Sequence, residues 1–152
     1  MSSMIERELI RATREKQSAV RALTPADSAA LRERVVARYA KQPVFWPLWE
    51  NFRFPFSVQN PDGWKEIGKA IGASACFLFL NPSDGLQAFE CDSGSQLNDL
   101  LADTYGFEFY VTNSEVSYLF CFNHHDMLLA AGTAVLWMEA KSLESLVGPR
   151  QP

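Results

Sequence analysis

The residues best equipped for chemistry are Cys121-Phe122-Asn123-His124-His125-Asp126, which contain both histidines of the chain. Cys121 and His124 have the spacing of two zinc ligands, and Asp126 offers a third. A structural zinc site normally takes four ligands in paired groups, and the chain has no second pair. Neighbouring side chains in extended backbone also point apart. The run is therefore expected to hold no metal. The plainer expectation is a strand end, with Asp126 capping the next element and one imidazole bonded to backbone. The functional expectation is a polar site made of Cys121, Asn123, His124, His125 and Asp126, with a concave pocket beside it. A thiol and an imidazole can also meet in space as a nucleophile and its base. The chain has no Gly-x-Ser-x-Gly elbow and no cysteine-protease signature, so no catalytic residue is assigned.

The second signal is charge. From Ala70 to Ala140 there is no lysine or arginine, but there are nine acids. Residues 1–42 hold nine cations against five acids, and residues 43–152 hold five against thirteen. A single-signed surface steers oppositely charged partners and disfavours nucleic acid. Asp99 and Asp103 are four apart on a predicted helix, a like-charge spacing that costs a few tenths of a kcal/mol. With Asp92, Glu108 and Glu115 they form the candidate docking residues for a basic protein. Phosphate-binding glycine loops are absent, and no cofactor is expected.

A chain of 152 residues, 47% hydrophobic and 21% charged, suits one soluble domain with a sizeable core. Eleven Phe, four Trp and four Tyr supply large apolar units. No run is long enough to span a membrane and the first residues lack a secretory apolar core, so a cytoplasmic protein is expected. Cys76, Cys91 and Cys121 are odd in number and widely spaced, which reads as buried structural thiols.

These residues must be positioned by elements read from periodicity. Residues 3–22 read as a helix, and Thr24-Pro25 starts a second. Leu31, Val35 and Tyr39 form the second helix's inner stripe, with Arg32, Arg34, Arg38 and Lys41 outward or toward its end. Together, residues 1–42 are expected to form a helical hairpin. An aromatic segment follows, in which Phe52, Phe54 and Phe56 alternate toward one face of an edge strand. Trp64–Ile71 reads as a short helix capped by Asp62, and Ala75–Leu80 as a central strand. Leu86–Cys91 reads as its hairpin partner. Ser93 and Gln96 have capping-box spacing before a helix over Gln96–Tyr105. Phe107–Thr112 and Val116–Phe122 form a second hairpin. Leu128–Leu146 is ambiguous, with strand character near Met127–Leu129 and helix character from Ala134 onward. The expected fold is α+β: a single domain over 1–152, with the hairpin, an α+β core over 43–147 and a frayed tail over 148–152. Its mostly antiparallel sheet carries helices on one face.

Phe107-Glu108-Phe109-Tyr110-Val111 and the run Tyr118–Asp126 resemble the C-terminal half of small bacterial single-domain proteins, some of them immunity proteins of polymorphic or contact-dependent toxin systems. The resemblance implies a protein that blocks a toxin by binding it and performs no chemistry. It transfers no binding residues. Three readings follow: a non-enzymatic domain that occludes a basic partner, a small enzyme or ligand-binding domain built on Cys121–Asp126, and a homodimer joined through Phe45–Phe56.

Overall fold

Short apolar runs separated by turn chemistry build the sheet. The computed structural model describes residues 4–15, 20–40, 46–104 and 106–147. Its strands are β1 (Arg21–Ala22), β2 (Phe56–Gln59), β3 (Cys76–Phe79), β4 (Phe89–Cys91), β5 (Phe109–Thr112), β6 (Tyr118–Phe122) and β7 (Met127–Gly132). They form one antiparallel sheet in the order β1-β4-β3-β5-β6-β7-β2. The helices are α1 (Met4–Glu15), α2 (Pro25–Val35), α3 (Leu48–Asn51), α4 (Gly63–Ile71), α5 (Gly94–Ala102) and α6 (Ala134–Val147). The chain is α+β, as its periodicities suggest, and the ambiguous stretch after Leu128 contains both a strand and a helix. The expected tail over 148–152 lies outside the described residues.

All four residues of β5 are buried, so this strand is covered on both faces. Leu78, Val111, Phe120 and Ala130 face one core, with Leu9 of α1, Ile67 of α4, Leu97 of α5 and Met138 of α6. Phe79, Tyr110, Leu119 and Leu129 face the other, with Leu31 and Val35 of α2 and Leu48 of α3. Four helices thus cover one face, while α2 and the aromatic segment after it cover the other. The N-terminal helices accordingly lie on opposite faces of the sheet and do not form a hairpin. The reason is local: Arg21 and Ala22 pair with Glu90 and Phe89, so the chain is extended at the sheet edge just before α2.

Three further local readings change. Arg32, expected outside, is 8% exposed. Its guanidinium donates to the carbonyls of Leu86 (2.6 Å), Gly85 (2.8 Å) and Leu80 (3.4 Å). Phe52 and Phe54 join the Tyr110 core, but Phe56 packs on the opposite one because β2 begins there. β2 does lie at the sheet edge. After Val35 the second helix continues as one π-helical segment, Val36–Ala40, which brings the Tyr39 hydroxyl to the Val116 carbonyl at 2.7 Å.

Candidate functional site

The Cys121–Asp126 run forms the turn between β6 and β7. Asn123 builds it. Its side-chain oxygen accepts from the backbone N–H of His125 (2.9 Å) and of Met127 (3.1 Å). Its own N–H donates to the Met127 carbonyl, and its carbonyl accepts from Asp126 N–H. Asp126 sits at φ +59°, the left-handed geometry that Asp tolerates better than most residues. The expected Asp126 cap is therefore absent, and Asn123 does the capping.

This turn lies at the end of the sheet where β3 ends and β5 begins, beside Asn81 and Glu108. Glu108 precedes Tyr110 by two residues and shares its face of the sheet. One Glu108 oxygen accepts from the Trp49 indole N–H (3.0 Å) and the Asn81 amide (2.9 Å). The other accepts from His124 N–H (3.2 Å) and contacts the His124 ring at Nδ1. The buried Tyr110 hydroxyl donates to the Asn81 side-chain oxygen at 2.8 Å, which fixes how that amide faces Glu108. Burial pushes the Glu108 carboxyl up, but the hydrogen bonds from His124, Trp49 and Asn81 outweigh it and hold it below the ordinary carboxylate range.

The Glu108 side chain is 13% exposed and that of His124 is 58% exposed. The two imidazoles lie 3.8 Å apart between centroids, and each meets Trp49 edge-on at 5.6 and 5.7 Å. A partly buried carboxylate, a half-buried indole and two exposed imidazoles thus form one polar–aromatic patch. Glu50 on α3 and Asp126 in the turn add exposed carboxylates on the same elements. Chemically the patch offers an acceptor, aromatic faces and, through Glu108 on Nδ1, an imidazole held in one orientation.

Of the polar residues expected to act together, Asn123, His124, His125 and Asp126 are joined in the turn. Cys121 is not, because it points into the Tyr110 core. Burial raises its thiol well above the ordinary range. Among the described residues no group of three His, Cys, Asp or Glu side chains is placed to hold a metal ion. A groove of about 180 Å³ opens between Trp64, Leu101, Phe107 and Phe109, on the opposite face of the sheet from Trp49.

The five candidate docking acids do not share one surface. Asp92 follows β4 and pairs with Arg21 at 3.1 Å, as does Glu90 at 2.8 Å. Glu115 lies in the β5–β6 turn, at the opposite end of β5 from Glu108. Asp99 is exposed on α5, and Asp103 caps that helix while its carbonyl accepts from Arg11 of α1 at 3.0 Å. The N-terminal basic residues therefore meet part of the acidic stretch within the molecule. The aromatic residues Trp46, Trp49, Phe52 and Phe54 pack on the chain's own sheet, and Phe45 lies outside the described residues.

No known protein family, curated protein or solved structure matches this chain. Those comparisons therefore add nothing for or against the likeness to immunity proteins. Residue-level reading missed Trp49, Asn81 and the assignment of Glu108 to the histidines. Their separations in sequence carry no periodic signal, and only the antiparallel register brings them together.

Proposed function

We propose that this protein is a non-enzymatic binding domain of immunity type that occludes a basic protein partner, with Trp49, Glu108, His124 and His125 as the centre of its recognition surface. The observation that carries this reading is the junction of an indole, two exposed imidazoles and a charged carboxylate at one sheet end. Interface hot spots are enriched in such aromatic anchors, and charge around them mainly speeds encounter. Asp99 and Asp103 lie on α5, across the sheet from Trp49, and act only through the overall negative field that steers a basic partner. Trp49→Ala with His124→Ala is expected to weaken partner binding at least tenfold, read by titration calorimetry against the captured partner. Asp99→Lys with Asp103→Lys is expected to slow association more than it speeds dissociation. Unchanged binding in both variants would overturn the reading.

One observation favours a second reading, a small ligand-binding or enzymatic site. Glu108 on Nδ1 orients His124 as a carboxylate orients a general base. In that case an anionic or polar small molecule shifts the His124 ring resonances in an NMR titration, and Glu108→Gln abolishes the shift.

A further inference from the structure

The three cysteines are all fully buried, but the fold does not treat them alike. Cys121 faces the Tyr110 core, whereas Cys76 and Cys91 face the other core together. They occupy directly opposed positions of the antiparallel β3–β4 pair. Both side chains therefore lie on the same face of the sheet, side by side in one core. Opposed residues in such a ladder have Cα atoms about 4.5–5.5 Å apart. That lies inside the roughly 4.4–6.8 Å range of disulfides.

We propose that Cys76 and Cys91 are a modification site, a dithiol that a hydroperoxide converts to a cross-strand disulfide. One thiol, as its thiolate, attacks the peroxide oxygen. It becomes a sulfenic acid, and the leaving group takes a proton to depart as water or an alcohol. The second sulfur then displaces the sulfenic oxygen as water, forming the S–S bond. Two thiols are oxidised, one peroxide is reduced, and no other reactant is needed.

Access comes from the sheet edge. β4 has three residues, and the β1 strand outside it has two. Such short pairing opens at low cost compared with the centre of the sheet. The neighbouring Cys91 thiol and burial hold Cys76 well above the ordinary thiol range, so the closed protein reacts slowly and the rate follows edge opening. The loop between the two cysteines carries Asn81, which holds Glu108 and Tyr110, so the bridge also pins part of the recognition patch.

The test is exposure of the wild type and of Cys121→Ser to hydrogen peroxide, followed by unfolding, alkylation and mass mapping. Trypsin leaves all three cysteines on one peptide, because no Lys or Arg lies between Ala70 and Ala140. Cleavage after glutamate separates them, because Glu90 lies between Cys76 and Cys91, and Glu108 and Glu115 lie before Cys121. The expected result is loss of two alkylatable thiols, a peptide link joining Cys76 to Cys91, and full reversal by dithiothreitol. Cys121→Ser keeps the response and Cys91→Ser loses it. Three alkylatable thiols after peroxide, a link through Cys121, or sulfinic acid without a link would each overturn the proposal. Because Cys121→Ser retains both partners, the result does not depend on Cys91→Ser folding.

Discussion

Glu108 accepts hydrogen bonds from the Trp49 indole, the Asn81 amide and the His124 backbone N–H, and contacts the His124 ring. Its folded pKa lies below the ordinary carboxylate value, so the ionised form favours the fold. This contribution is fully present above the unfolded value of about 4.3 and is lost as pH falls through the lower folded value. Glu108→Gln is therefore expected to flatten the pH dependence of stability below about pH 4.3. Denaturant midpoints of both proteins across that range are the check. Arg32 makes a second residue-scale prediction. Burial lowers its pKa, while the nearby Glu6 carboxylate acts the other way. Arg32→Met leaves buried carbonyls of the 80–86 loop without their donor, at a cost of roughly 3 kcal/mol or more by urea unfolding. An arginine on a helix is usually solvated, so its sequence context points Arg32 outward. Nothing local announces that a loop some fifty residues later will curl its carbonyls toward it.

At the scale of elements, two caps follow from spacing, while Asp62 stands at the start of α4 without a side-chain cap bond. Thr24 accepts from Asp27 N–H at 3.0 Å, and Ser93 accepts from Gln96 N–H at 3.2 Å, as their spacing suggests. In the second case the Gln96 side chain returns to Asp92 N–H rather than to Ser93. Both hairpins, β3–β4 and β5–β6, were readable from alternation between turn residues. The β6–β7 hairpin was not, because Asn-His-His-Asp lacks a glycine signal and Asn123 builds the turn through its side chain. Asn123→Ala is expected to lose two side-chain bonds and about 2 kcal/mol, with hydrogen exchange rising first at Met127. The α4–α5 contact rests on close backbone approach. A Cβ on Gly94 would collide with the Gly68 carbonyl, so Gly94→Ala must separate the helices. The expected cost is several kcal/mol, read as a lower midpoint in thermal unfolding.

For the whole molecule, periodicity pointed to the α+β class but not to which helix lies on which face. Strands buried on both sides require cover on both sides, and the two-residue β1 that sends α1 and α2 to opposite faces is too short to leave a pattern. Charge counting gave the sign of the C-terminal part but not its distribution. Arg21 and Arg11 meet Asp92 and the end of α5, while Glu108 turns to the other face. No helix among the described residues is long and apolar enough to cross a membrane. Recognition of a basic protein by the Trp49–Glu108–His124 patch is open to one decisive test. The most direct measurement is capture from a host lysate by immobilised wild type and by Trp49→Ala/His124→Ala, side by side at low and high salt. One basic protein should be held by the wild type at low salt, released at high salt and missed by the folded variant. A variant that captures as well as the wild type, or a wild type that holds nothing at low salt, would contradict it.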